Sequence, residues 1–272
     1  MSSVLPLSPQ VFSILSTLIE ERLGLHFSAD YRDVLIEKLS PRARELGFDS
    51  MLDYYYYLRY DPGADAELLA VADALTVNET YFLREPTQLR VLVEDMLAPM
   101  VANGSKPRVW CAACSTGEEP LSLAAMLDER GLLGRVDLIA SDLSARALQV
   151  ARRGVYGARA VRSFSALPHW LSREGEHNVV SPRLREAIDW RLINLLDAAA
   201  IESLGPFDAI ICRNVMIYFR DETTQYVVSR LHDALVPGGH LLVGASESLL
   251  RLGTAFSCVE HRGAFFYRKA AA

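Results

Sequence analysis

Two adjacent carboxylates, Glu118 and Glu119, close a run of small residues, Cys114 to Gly117, and stand just before Pro120. Small residues let the backbone turn tightly, and proline fits the first turn of a helix, so Arg108 to Pro120 reads as the end of a buried strand, a tight loop and a helix start. Such a loop offers amides and a helix N-terminus to a ligand, but two carboxylates repel phosphate. The ligand expected here therefore carries hydroxyl or ammonium groups. Either acid could accept from it. A third acid, Asp142, follows 24 residues after Glu118 at the end of the next apolar run. An acid at that place in a strand–helix–strand unit commonly accepts from ribose hydroxyls. Its competing reading is a helix cap, for which Ser144 is better placed. Cys111 and Cys114 form a C-x-x-C with no second Cys or His pair at zinc spacing, so they read as strand and loop residues and no metal is expected.

These groups need elements to hold them. After Lys106-Pro107, strands are expected at 108–112, 136–141, 190–194, 207–212 and 240–245, with helices near 119–130, 144–152 and 221–235 between them. That alternation predicts a doubly wound parallel α/β sheet. Pro237-Gly238-Gly239 reads as a sharp turn into the fifth strand, and the segments flanking Arg262-Gly263 as an antiparallel edge hairpin. The stretch between Gly154 and Trp190 is longer than an ordinary crossover and predicts a small inserted subdomain, about 160–192. Ahead of the sheet, the first 76 residues read as wholly helical: one helix from the Ser8 cap to Gly24, then helices near 31–46, 51–59 and 64–75. Lys38 and Arg42 share a face of the second helix, with Arg44 nearby.

Composition narrows the class. Of 272 residues, 50% are hydrophobic and 23% charged, with a net charge of −6, which fits a globular chain and disfavours a general nucleic-acid binder. The first fifteen residues lack Lys and Arg, and no apolar run is long enough to cross a bilayer, so a cytoplasmic chain without membrane insertion is expected.

Four segments, in order, carry a resemblance: Asn-Glu-Thr-Tyr-Phe-Leu-Arg-Glu at 78–85, Cys-Ser-Thr-Gly-Glu-Glu-Pro at 114–120, Ala-Ser-Asp-Leu at 140–143, and Cys-Arg-Asn-Val-Met-Ile-Tyr-Phe at 212–219. The chain resembles the CheR family of chemoreceptor glutamate O-methyltransferases, which use S-adenosylmethionine, from about residue 10 to residue 268. The resemblance implies a Rossmann-like class I methyltransferase sheet over 77–272 and an all-helical domain over 1–76. It implies cofactor contacts at Asn78, Thr80, Arg84, Glu119, Asp142, Asn194, Leu195, Arg213 and Asn214, with Arg84 and Tyr218 nearest the transferred methyl. It also implies that Lys38, Arg42 and Arg44 dock the acidic methylation helices of a chemoreceptor-type protein. Members that bind a receptor's C-terminal tether peptide carry a Gly-x-Gly insertion in the subdomain. The Ser172 to Asn178 region here has only Gly175, which argues against a tether. The competing functions are an S-adenosylmethionine enzyme acting on RNA or a small molecule, and a non-catalytic module that senses the cofactor.

Overall fold

The computed structural model describes residues 4–162 and 168–271. Four helices open the chain. α1 (Pro9–Leu23) begins where the Ser8 hydroxyl accepts from the Val11 amide and stops at Gly24, which adopts a left-handed φ of 78°. α2 (Arg32–Glu45), α3 (Met51–Tyr60) and α4 (Ala64–Leu75) follow. Leu15 and Ile19 of α1, Leu35 and Leu39 of α2, Tyr54 and Leu58 of α3, and Leu68 and Val71 of α4 meet in one apolar cluster. Each buried aliphatic side chain contributes roughly 1.5–3 kcal/mol, so this small bundle has its own source of stability.

The connection over 78–85 is fastened from two sides. Phe82 packs edge-on against Tyr156 and Trp170, its amide donates to the Ala160 carbonyl at 2.9 Å, and the Leu83 amide donates to the Ser122 hydroxyl at 2.9 Å. A helical run then passes through α5 (Pro86–Val91), a widened turn at Leu92–Leu97 and α6 (Ala98–Ala102).

The α/β part continues with β1 (Arg108–Ala112), α7 (Glu118–Glu129), β2 (Asp137–Asp142) and α8 (Ala145–Arg153). A small antiparallel sheet comes next, of β3 (Val155–Tyr156), β4 (Leu171–Glu174) and β5 (His177–Val180) in the order β3-β5-β4. The chain returns through α9 (Pro182–Glu186), β6 (Ile188–Leu192), α10 (Ala198–Ser203), β7 (Phe207–Ile211), α11 (Asp221–Asp233), β8 (Leu235–Leu242), β9 (Ser257–His261) and β10 (Ala264–Arg268). The seven-stranded sheet has the order β6-β2-β1-β7-β8-β10-β9; the first five strands are parallel, and the β9–β10 hairpin is antiparallel. This is a Rossmann-like sheet closed at one edge by an antiparallel hairpin.

Side chains alternate along its strands. Val109 and Cys111 join Leu138, Ala140, Ala209 and Ile211 on the face covered by α7, α8 and the small sheet. Trp110 and Ala112 join Ile139, Ile210 and Cys212 on the face covered by α10 and α11.

Three sequence expectations need adjustment. The strand expected at 190–194 lies two residues earlier: β6 runs over Ile188–Leu192, because it pairs with β2 from Leu138↔Ile188 to Asp142↔Leu192. The interval 160–192 therefore holds β4 and β5 of the small sheet and also β6 of the large one, while β3 lies before it; residues 163–167 of that interval fall outside the described ones. Pro237-Gly238-Gly239 lies inside β8 rather than before a strand. There the register against β7 slips between Phe207 and Ala209, and a side chain at Gly239 would sit 2.9 Å from the Val236 carbonyl, so the glycines make a bulge.

Candidate functional site

β1 pairs with β2 on one side and β7 on the other, so the chain order reverses there and a crevice opens at the carboxyl ends of the strands. The four strand-end loops after β1, β2, β6 and β7 meet the helical bundle over it. They enclose a cavity of about 630 Å³. Asn78, Thr80, Arg84, Glu119, Asp142, Asn194, Leu195, Arg213, Asn214 and Tyr218 all line it, as does Lys38.

The loop after β1 explains how the acids are presented. Ala113 and Ser115 take left-handed backbones, and Gly117 takes φ 92°. A side chain at Gly117 would lie 2.6 Å from the Ala151 methyl, so only glycine lets α7 start against α8. This turn divides the work of the two acids. The Glu118 carboxylate is buried away from the cavity and accepts from the Thr116 hydroxyl at 2.6 Å. Glu119 faces the cavity, with its carboxylate 3.2 Å from an Arg213 terminal nitrogen. Burial raises its pKa, and the positive Arg213 and Arg84 oppose that rise.

Asp142 anchors the loop as well as facing the cavity. One oxygen accepts from the Ser115 amide at 2.7 Å and the other from the Ser144 amide at 2.8 Å. Ser144, not Asp142, caps α8 by accepting from the Ala147 amide. Burial raises the Asp142 pKa, while the backbone amides pull it down. Each oxygen of a carboxylate has two acceptor sites, so acceptor capacity remains for ligand hydroxyls.

Across the crevice, the other Arg213 terminal nitrogen donates to Glu85 and to the Arg84 carbonyl, both at 2.9 Å. Arg84 itself stands between two left-handed residues, Leu83 and Glu85. Its guanidinium reaches the Glu79 carbonyl at 3.3 Å and lies 5.9 Å from the Tyr81 ring. Tyr218 sits in the short turn Met216–Tyr218, and its carbonyl accepts from the His26 amide of the helical bundle at 2.9 Å. Burial raises the phenol pKa, with Arg84 opposing, so the hydroxyl is a neutral donor at pH 7. Asn194 bridges the two parts of the chain: its side-chain amide donates to the Arg22 carbonyl at 2.7 Å.

The basic helix divides. Lys38 lines the cavity and donates to the Ala74 carbonyl at the end of α4, at 3.0 Å. Arg42 is turned into the bundle, where its guanidinium forks onto Glu67, which also accepts from the Tyr54 hydroxyl at 2.6 Å, and pairs with Glu45. Arg44 lies 3.9 Å from Asp49, and neither arginine lines the cavity.

Sequence reasoning missed Ser115, whose hydroxyl donates to the Asn78 side-chain carbonyl at 2.9 Å, and the bundle residues His26, Tyr31 and Val34 on the cavity wall. No pattern announces them, because they reach the cavity only through the packing of the bundle on the sheet. Cys111, Cys114 and Cys212 are buried free thiols whose pKa values burial pushes up. Among the described residues no group of His, Cys, Asp and Glu is placed to hold a metal.

The donor set fits S-adenosylmethionine. Asp142 has acceptor capacity for ribose hydroxyls, Glu119 can accept from an ammonium, Arg213 supplies the cation a carboxylate needs, and apolar Leu143, Ile193 and Leu195 offer walls for a base.

Comparison with known proteins agrees. Residues 78–265 match the family model described as the CheR methyltransferase SAM-binding domain, and residues 10–76 that of the CheR methyltransferase all-alpha domain. The chain is 36% identical to "Chemotaxis protein methyltransferase 2" of Vibrio cholerae, over 92% of this chain and 89% of that protein. It is 33% identical to "Chemotaxis protein methyltransferase 1" of Pseudomonas aeruginosa, over 94% and 97%. With "Chemotaxis protein methyltransferase" of Klebsiella aerogenes it shares 36% identity over 94% and 89%. With both family models matched in order and these relatives aligned nearly end to end, the chain belongs to the CheR family of S-adenosylmethionine-dependent methyltransferases.

Proposed function

We propose that the protein transfers the methyl group of S-adenosylmethionine to glutamate side chains of chemoreceptor-type signalling proteins, forming γ-carboxyl methyl esters. The observation that carries this reading is the placement of Arg84 and Tyr218 on the wall of the same cavity as Glu119, Asp142 and Arg213. An arginine and a neutral phenol are carboxylate-orienting groups, and neither is a general base at neutral pH.

The chemistry needs no base. A glutamate side chain with a pKa near 4.3 is ionised at pH 7, so one of its oxygens can attack directly. The cofactor, when bound, supplies an electrophilic methyl on a sulfonium. Glu119, Asp142 and Arg213 hold that cofactor, with Asn78, Thr80, Asn194, Leu195 and Asn214 completing its surroundings. Arg84 and Tyr218 then orient the incoming carboxylate, and the bundle residues over the crevice exclude water. Alignment of two reactants is worth roughly 7–11 kcal/mol, which makes positioning the main source of rate. Too tight a grip on the carboxylate would stabilise the ground state and blunt its attack, so one cation and one neutral donor are better suited than two cations.

Lys38, a cation that lines the cavity, is the group we assign to steering an acidic helix toward it. The test is transfer of labelled methyl from S-adenosylmethionine to cytoplasmic receptor fragments, followed by mild base. Carboxyl esters release the label as methanol; label that resists base would place the methyl on nitrogen or carbon and reject the glutamate assignment.

A further inference from the structure

Glu247 follows the end of β8, is 6% exposed, and does not line the cavity. Its carboxylate is satisfied by backbone: one oxygen accepts from the Met216 amide at 2.8 Å, and the other from the Asn214 amide at 2.6 Å and the Gly244 amide at 2.8 Å. Among the described residues it has no ion-pair partner within 4.0 Å. Burying a carboxylate without a cation is expensive, and a chain that needed only to fill this space could do so with an apolar side chain. The three amides show what the charge achieves.

Two of them, those of Asn214 and Met216, belong to a loop in which, among the described residues, no backbone carbonyl accepts from them, while that of Gly244 closes a short turn next to Glu247 itself. Asn214 has a left-handed φ of 59°, and the short turn Met216–Tyr218 follows it. These residues lie beyond the end of β7, where the sheet's hydrogen bonds no longer fix the backbone. Glu247 does that from 31 to 33 residues away. The approach is close: a side chain at Gly244 would lie 2.7 Å from the Asn214 side-chain nitrogen and 2.8 Å from the Glu247 carboxylate.

We propose that Glu247 is the positioning residue of the methyl-transfer site, one carboxylate oxygen setting Asn214 at the cofactor and the other setting the turn that carries Tyr218. The Tyr218 half of this rests on the function proposed above. The Asn214 half rests only on cofactor binding.

The two oxygens make the proposal separable. In Glu247→Gln, the single remaining carbonyl satisfies more donors when it takes the place shared by Asn214 and Gly244, which leaves the Met216 amide facing an NH₂ group. Glu247→Ala releases all three amides. Binding of S-adenosylhomocysteine by calorimetry, kcat and KM for a receptor fragment, and thermal unfolding are measured on the full chain. Glu247→Gln is expected to bind S-adenosylhomocysteine within about threefold of wild type while kcat falls about tenfold or more at little-changed KM, since small misplacements cost on the order of 10²-fold. Glu247→Ala is expected to weaken cofactor binding about tenfold as well. A Glu247→Gln protein with wild-type kcat, or one whose kcat and cofactor affinity fall together in step with its unfolding temperature, would overturn the proposal. Should the alanine variant not fold, the glutamine variant decides alone. If wild type binds the cofactor yet methylates no receptor fragment, the substrate assignment is what fails, and unchanged S-adenosylhomocysteine affinity in both variants would overturn the Asn214 half as well.

Discussion

The Arg213 guanidinium lies 3.2 Å from the Glu119 carboxylate and 2.9 Å from that of Glu85, with its side chain only 1% exposed. The pair sets the charge state of the cavity floor. Burial favours the protonated form of Glu119, and the positive charge of Arg213 is the main effect that opposes it. A protonated Glu119 cannot pair with an ammonium. Because its pKa is raised, cofactor affinity is present above that pKa and lost as pH falls through it. Arg213→Met removes the opposing cation, so the loss should begin at higher pH. The ratio of S-adenosylhomocysteine affinities at pH 8 and pH 6 should be larger in Arg213→Met than in wild type. Parallel profiles would show that Glu119 does not take part through its charge.

Arg84 and Asp142 should fail differently. One Asp142 oxygen accepts from the Ser115 amide and the other from the Ser144 amide, so Asp142→Asn sets an NH₂ group against one of them. That weakens the loop, and the same exchange removes a charged acceptor from the ligand's hydroxyls, a loss of roughly 1–3 kcal/mol that should raise the cofactor dissociation constant fivefold to hundredfold. Arg84→Ala leaves those contacts in place. It should lower kcat about 10²-fold with cofactor affinity within about threefold. Equal losses of turnover and affinity in Arg84→Ala would reject its assignment to the methyl acceptor.

Lys38 and Arg42 share a helix face by spacing but not by role. Charge reversal at Lys38, which lines the cavity, should raise the apparent KM for an acidic receptor fragment, more so at low salt, and leave cofactor binding intact. Arg42→Ala instead strands Glu67, which is 5% exposed, and the Tyr54 hydroxyl that donates to it. A buried hydrogen-bonded charge left alone costs roughly 2–3 kcal/mol, so a lowered unfolding temperature is expected. An Arg42→Ala protein of wild-type stability with an altered receptor KM would restore Arg42 as a docking residue.

This contrast marks how far the sequence was readable. Features with local causes were legible: Ser8 and Gly24 bracket α1, and apolar alternation placed β1, β2 and β7 within a residue or so. The positions named from the four motifs also converge on one cavity, because strand ends gather at the reversal of chain order. What depends on distant partners was hidden. Arg42 looks like a surface cation until Glu67, 25 residues on, folds beneath it. Glu247 looks like an ordinary loop acid until three amides converge on it. Pro237-Gly238-Gly239 carries a strong turn signal, yet pairing with β7 absorbed it as a bulge.

His240 gives a test of stability away from the cavity. It stands next to that bulge on β8, within 6.2 Å of the Phe266 ring and 6.5 Å of His261, and pairs across the sheet with Arg268. Burial, then the Arg268 charge and the neighbouring His261, lowers its pKa from 6.5 to about 4. The sign follows from which state holds the proton. Between about pH 6.5 and 4 the unfolded chain protonates this histidine and the folded chain does not, so the contribution is whole above pH 6.5 and declines as pH falls toward 4. Partial exposure to solvent screens the effect, which makes the slope the quantity to read. The ring meets Phe266 nearly at right angles, edge to face, so His240→Phe keeps an aromatic side chain there while removing the titration. The unfolding temperature of wild type should drop more steeply between pH 7 and pH 5 than that of His240→Phe. If the two curves fall in parallel, the acid sensitivity of the fold belongs to other groups.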